Sequence, residues 1–302
     1  MRKIKRAFTL LELVFVIIVF GIVSAIVSEV ISKVYENYIY TRTVNALQTK
    51  SELALEQIAN RLQYRIKNAT IAAKPNTSTT TAQFISTADP NLDDSYTVLE
   101  WIGYDMEGFK GVFDDAIDYH RPIWSGLIDI DASTQTQLLT PGSQLSNLDA
   151  IISSLSNNEA DGSDAVLIFP PDSLGFDISL YGWYGNDSNY TYDFQIIDDT
   201  TININDTAPP QIIYERYKLA WTAYAIAPSP LECTQDCNLS LYWNYQPWQG
   251  ETFQNATSTS TLVENVSVFK FRQDGDVMRI KLCVKDRAVE QNISICKEKV
   301  VF

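Results

Sequence analysis

Phe8-Thr-Leu-Leu-Glu-Leu-Val-Phe-Val-Ile-Ile-Val-Phe-Gly-Ile-Val-Ser-Ala-Ile-Val-Ser28 is 21 residues long and carries one charge, Glu12. As a helix it rises about 30 Å, the thickness of one hydrocarbon core. The seven residues before it hold four bases and no acid, whereas the whole 302-residue chain has 37 acids against 23 bases. From Arg121 to Arg216 no other Lys or Arg occurs, while Pro122–Glu215 contains fourteen acids. A basic start, an apolar span and an acidic body place Met1 in the cytoplasm and the body across the membrane. A net charge of −14 also argues against direct nucleic-acid binding.

Three readings of the span compete. A signal peptide shares its basic and apolar regions, with Val23-Ser-Ala25 as a small-residue cut site. An uncleaved signal anchor is the second. Neither explains Glu12, since a carboxylate at the bilayer centre costs roughly 2.5–3.5 kcal/mol and is a functional residue by default.

The third reading rests on Arg6-Ala7-Phe8-Thr9-Leu10-Leu11-Glu12, which resembles the processing site of type IV prepilins and type II secretion pseudopilins. In that family a peptidase cuts the basic leader before a Phe and methylates the new amine, and a Glu stands fifth in the mature chain. The resemblance implies a cut between Ala7 and Phe8, and makes the Phe8 amine of a neighbouring subunit the partner of Glu12. Ala7 stands where the family usually has Gly. Glu29 stands where major pilins tend to have a Pro, so the resemblance implies a minor subunit. The implied partners are other pseudopilin or pilin subunits, the prepilin peptidase and an inner-membrane assembly platform. The implied location is the inner membrane, single-pass, with a periplasmic body.

Beyond the span no Pro occurs before Pro75. Leu55, Ile58, Leu62, Ile66 and Ala69 recur at steps of three and four, the stripe of an amphipathic helix. The pattern predicts one helix from about Phe8 to Ala73, stopped by Lys74-Pro75. The expected division is a leader at 1–7, a transmembrane part at 8–28, an amphipathic part at 29–74 and a β-rich body at 75–302. Strand patterns occupy Tyr96–Tyr104, Ala165–Phe169 and Gln211–Ile226, and Leu138–Ser156 has room for a short helix. Asp274-Gly275 between two alternating runs predicts a hairpin with Phe271 opposite Met278 and Phe269 opposite Ile280. A last strand is expected over Ile293–Phe302. The fold class is therefore α+β: a long N-terminal helix packed against a C-terminal antiparallel sheet. The segment Arg61–Ala69 and the C-terminal strands also resemble J-type pseudopilins and W-type minor pilins.

Four cysteines, Cys233, Cys237, Cys283 and Cys296, lie on the outer side of the proposed topology, where an even number favours disulfides. Of three connectivities, Cys233–Cys237 with Cys283–Cys296 suits a small loop plus two adjacent strands; zinc is the competing use. Asn-x-Ser/Thr occurs nine times, and Asn189, Asn238 and Asn292 have an acid two residues upstream, as in extended bacterial glycosylation sites. Asp161 and Asp164 are the calcium candidates, although their spacing fits no defined calcium loop and the expected cofactor is none. With one histidine, His120, and no nucleophile-elbow or phosphate-loop motif, no catalytic constellation stands out. Two other functions remain open: a signal-anchored or secreted periplasmic binding protein or adhesin, and a pilin-like component of DNA-uptake machinery.

Overall fold

The computed structural model of the chain describes residues 9–75, 83–114, 119–170, 177–206, 208–231, 233, 235–286 and 293–302. In chain order the elements are α1 (Leu10–Leu62), β1 (Arg65–Ala73), β2 (Phe84–Ser86), β3 (Val98–Gly103), α2 (Met106–Lys110), β4 (Val112–Asp114), β5 (Tyr119–Arg121), β6 (Gln137–Leu139), α3 (Leu148–Ser156), β7 (Val166–Ile168), β8 (Tyr192–Ile196), β9 (Thr201–Ile204), β10 (Lys218–Ala220), β11 (Thr222–Ser229), β12 (Cys237–Trp243), β13 (Ser258–Asp274), β14 (Val277–Lys285) and β15 (Ser294–Val301). Eight strands form one antiparallel sheet in the order β15-β14-β13-β12-β11-β3-β1-β2, and five form a second in the order β10-β7-β8-β9-β6.

The layering follows from side-chain alternation. On β11, Tyr224 and Ile226 face α1, while Ala223, Ala225 and Ala227 face the second sheet. On β3, Leu99 and Trp101 take the helix side, and Val98 and Ile102 the other. The central strand is thus buried on both faces. A third apolar cluster, around Trp124, Leu148, Ile152, Leu167 and Leu219, fills the space between the second sheet and α3.

Helix α1 is one continuous element of 53 residues, about 80 Å long. Its buried positions are Thr43, Leu47, Ser51, Ala54, Leu55, Ile58, Ala59 and Leu62, a single stripe at helical spacing. From Leu10 to Tyr38 the large apolar and aromatic side chains are all exposed. The body therefore covers only the C-terminal third of the helix.

Three expectations need correction. The helix ends at Leu62, not at Lys74-Pro75, and Arg65–Ala73 is a strand paired with β3 and β2. Ile66 and Ala69 are buried as the stripe requires, but Ala69, Ile71 and Ala73 also fit period two. Backbone pairing with β3 decided between the two periods, a choice made by tertiary structure. The amphipathic part of the helix accordingly stops twelve residues earlier than the 29–74 division expected. The hairpin turns at Gly275-Asp276, one residue later than expected, with Gly275 at φ 59° as the first of two turn positions. That shift pairs Phe271 with Ile280 and Phe269 with Leu282. The partners slide by two residues, so each apolar side chain keeps its face. Within the expected Gln211–Ile226 strand region, the strands begin only at Lys218.

Candidate functional site: the helix start and what anchors it

Thr9 is the N-cap of α1. Its hydroxyl accepts the Glu12 backbone N–H at 3.3 Å, and the Glu12 carboxylate accepts the Thr9 N–H at 3.4 Å and hydroxyl at 3.3 Å. This reciprocal box satisfies donors that the first helical turn leaves open, and sets an acid at the positive end of the helix dipole. Glu12 is exposed at the head of an apolar run that is long enough to cross a membrane and has none of its residues buried in the body. Ala7 and Phe8, the expected processing pair, lie outside the described residues. Glu29, at the position of the major-pilin Pro, leaves α1 unbroken and pairs with Lys33 at 2.6 Å.

At the other end, three devices fix α1 to the body. The Arg65 guanidinium is buried, donating to the Leu62 carbonyl at 2.9 Å and to the Asp276 carbonyl at 2.8 Å. It caps the helix and ties that end to the β13–β14 turn. Burial pushes this guanidinium below its ordinary value, with the nearby Asp276 charge opposing. Lys297 of β15 pairs with Glu52 at 2.6 Å, and Lys299 pairs with Glu56. Four helical residues rise about 6 Å and two strand residues about 6.6 Å, so the two pairs stay in register. The Lys297 hydrogen bond and charge hold the Glu52 carboxyl below its ordinary value. Finally, Cys283 and Cys296 stand opposite each other on β14 and β15 and form a disulfide, stapling the strand that carries both lysines. Cys233 and Cys237 form the second disulfide.

Glu100, which no sequence motif marked, lies wholly buried on β3. It accepts the Tyr245 hydroxyl at 2.9 Å and the Tyr184 hydroxyl. Desolvation raises its carboxyl to about 7, against the lowering effect of both tyrosines. The only sequence hint was a Glu inside the apolar run Val98-Leu-Glu-Trp-Ile102. Between about pH 4.5 and pH 7 the folded chain holds this proton after the unfolded chain has released it, so stability falls as pH rises through that window. The expected loss is about 3 kcal/mol. Asp105, also buried and raised by desolvation, contributes with the same sign. Denaturant unfolding of Glu100→Gln at pH 5 and pH 7.5 is expected to show a markedly flatter dependence than the wild type. An unchanged slope overturns this assignment.

The other sequence candidates have structural uses. Asp161 accepts the Ser163 N–H at 2.8 Å and hydroxyl at 2.6 Å; Asp164 accepts the Asp161 N–H at 2.9 Å and the Gln249 amide at 3.0 Å. Both thus brace a single 3-10 turn. Among the described residues no group of three or more His, Cys, Asp or Glu side chains is placed to hold a metal. Asn189 is exposed, Asn238 lies half-buried in β12, and Asn292 is outside the described residues. Tyr181, Trp183 and Tyr184, an aromatic run in the sequence, are buried between the sheets.

Comparison with known families agrees with the helix start. Residues 2–28 match the prokaryotic N-terminal methylation motif. The chain carries the signature of type IV prepilin-like proteins. The matched segment ends where the apolar run ends, so the prepilin signature and the exposed half of α1 coincide. No curated protein and no solved structure matches the chain significantly. The prepilin-like signature points to a membrane-anchored structural subunit that assembles with other pilin-like subunits and is processed by a prepilin peptidase.

Proposed function

We propose that this chain is a minor pseudopilin or pilin-like subunit of a type II secretion system or a related type IV filament machine. Its role is structural, not enzymatic. The leader is cut between Ala7 and Phe8, and the Phe8 amine is methylated. The body stands in the periplasm, the N-terminus begins in the cytoplasm, and the subunit is drawn from the inner membrane by an assembly platform. The observation that carries this reading is the methylation motif running straight into a 53-residue helix whose membrane-length half is left uncovered by its own body. An apolar rod of that length is stable only in lipid or among other apolar helices. In the free subunit Glu12 caps its own helix; in the filament it exchanges the Thr9 contacts for the charged amine of an adjacent Phe8, which neutralises both charges away from water. The C-terminal third of α1 is the handle that fixes the body to the filament.

Deleting the gene and scoring protein secretion, surface motility and DNA uptake side by side tests the reading. Loss of at least one of these, restored by the full chain, is expected and identifies the machine. Three unchanged phenotypes contradict the reading.

A further inference from the structure

The triplet Asn-x-Ser/Thr occurs nine times, and the filament reading makes no use of it. Three of the nine have an acid two residues upstream: Asp187, Asp236 and Glu290. Asn292, downstream of Glu290, is outside the described residues, and the fold separates the other two. Asn238 is half-buried in β12, a strand paired on both sides, with β11 and β13. Its upstream Asp236 pairs with Lys285 at 3.5 Å, and its downstream Ser240 is buried. Asn189 instead lies in the turn that leads into β8, outside every strand, and is exposed. Asp187 is exposed too, with no partner for its carboxylate among the described residues.

The amide of Asn189 is also the uncommitted one. Asn186 Nδ2 donates to the Trp183 carbonyl at 2.7 Å, and Asn255 Oδ1 accepts the Thr252 hydroxyl at 2.9 Å. The Asn189 side chain has no hydrogen bond among the described residues. The Thr191 N–H and hydroxyl both donate to the Ser188 carbonyl at 2.9 Å, which sets Asn189 at the tip of the turn. Thr191 is buried once this turn is closed, so its hydroxyl is within reach of an enzyme only while the turn is open. Opening the turn breaks these two bonds and the 3.0 Å bond from the Tyr190 N–H to the Leu180 carbonyl. Freeing Asn238 means drawing a strand from between two neighbours, which costs far more. In the closed turn the Asn189 side chain stays in solvent, where a bulky substituent is tolerated. The aromatic run just upstream, Tyr181, Trp183 and Tyr184, packs on the face of the large sheet that α1 does not occupy. A substituent on Asn189 therefore leaves the helix free to pack.

We propose that Asn189 is an N-glycosylation site, read through Asp187 and Thr191 before the Ser188–Thr191 turn closes. The inference rests on the filament reading only in placing the body outside the cytoplasm, where such acceptors are modified. The donor is a saccharide carried on a polyprenyl pyrophosphate. The Asn189 amide nitrogen attacks C1 of the saccharide, and a C1–N bond forms. The C1–O bond to pyrophosphate breaks, the nitrogen gives up one proton, and the polyprenyl pyrophosphate leaves.

Intact mass and glycopeptide mapping of the full chain, purified from the membranes of its own host, test the proposal. The expected result is a saccharide on the peptide that contains Asn189. The added mass is expected to vanish in Asn189→Gln and to be largely lost in Asp187→Ala, which keeps the Asn and the Thr. Both substituted side chains are exposed, so both variants are expected to fold, and their thermal unfolding is measured alongside. A bare Asn189 in the wild-type chain, a saccharide on other triplets alone, or full occupancy in Asp187→Ala each overturns the assignment. The same spectra read the N-terminus. A chain that begins at Phe8 but is bare at Asn189 removes this inference and leaves the filament reading standing. A chain that carries the saccharide but begins at Ile26 does the reverse.

Discussion

Glu12→Leu is expected to leave the chain in the membrane and to remove it from the filament. Insertion does not suffer, because the substitution takes a charge out of an apolar run and lowers the transfer cost. Assembly does suffer, because the amine of the adjacent Phe8 is then buried without its counter-ion. Breaking a buried pair in this way costs about 3 kcal/mol or more, which corresponds to roughly a hundredfold loss in incorporation. Site-directed cross-linking to the major subunit, with membrane fractionation as the control, measures both quantities. Glu12→Gln separates the two uses of this side chain. Its amide oxygen still accepts the Thr9 N–H, so the helix cap survives, but the charge is gone. If Glu12 serves assembly by pairing, Gln fails like Leu. Wild-type cross-linking in both variants contradicts the pairing role.

Arg65→Met is expected to produce the largest loss of stability in the body. It removes the donors to the Leu62 and Asp276 carbonyls and leaves both at the base of the long helix. Each bond comes from a charged group, and stranding the buried Leu62 carbonyl adds desolvation; together they amount to about 3–5 kcal/mol. For a body of this size that is about 10 °C in unfolding temperature. Arg65→Lys should recover part of the loss, since an ammonium reaches one carbonyl more readily than both. Thermal unfolding of the full chain in detergent provides the check, and a fall of under about 2 °C for Arg65→Met contradicts the bridging role. The same variant is expected to loosen the helix from the β13–β14 turn, and therefore to raise hydrogen exchange at Ala59–Leu62 before the rest of α1.

The long helix was legible because its two halves obey different simple rules. The Phe8–Ser28 run is apolar apart from Glu12 and a few small hydroxyl residues, whereas Leu55, Ile58 and Leu62 recur at helical spacing and are buried. The end of the helix was not legible. Arg65–Ala73 satisfies both periods, and the partners that make it a strand, β2 and β3, come from further along the chain. The hairpin face was legible from alternation and its register was not, because Asp274-Gly275 and Gly275-Asp276 are both acceptable turn dipeptides. In the observed register Lys270 faces Lys281 and Arg272 faces Arg279, with the repulsion relieved by Lys270–Asp94 and by Lys281–Glu298 at 2.9 Å. Asp94 comes from a distant loop, so no local rule could have weighed it. For the candidate site, Glu12 announced itself because a charge in an apolar span needs a reason. Arg65 and Glu100 did not, because a buried ionisable group is recognised by its surroundings, and these come from the helix end, the hairpin turn and two separated tyrosines.

The most direct measurement is the N-terminal sequence and intact mass of the protein purified from the membranes of its own host. A mature chain that begins at Phe8 with a methylated amine is the expected result. A chain that retains the Met1–Ala7 leader, or one that begins at Ile26 after signal-peptidase cleavage, contradicts the filament-subunit reading, because neither offers Glu12 a processed amine on a neighbouring copy.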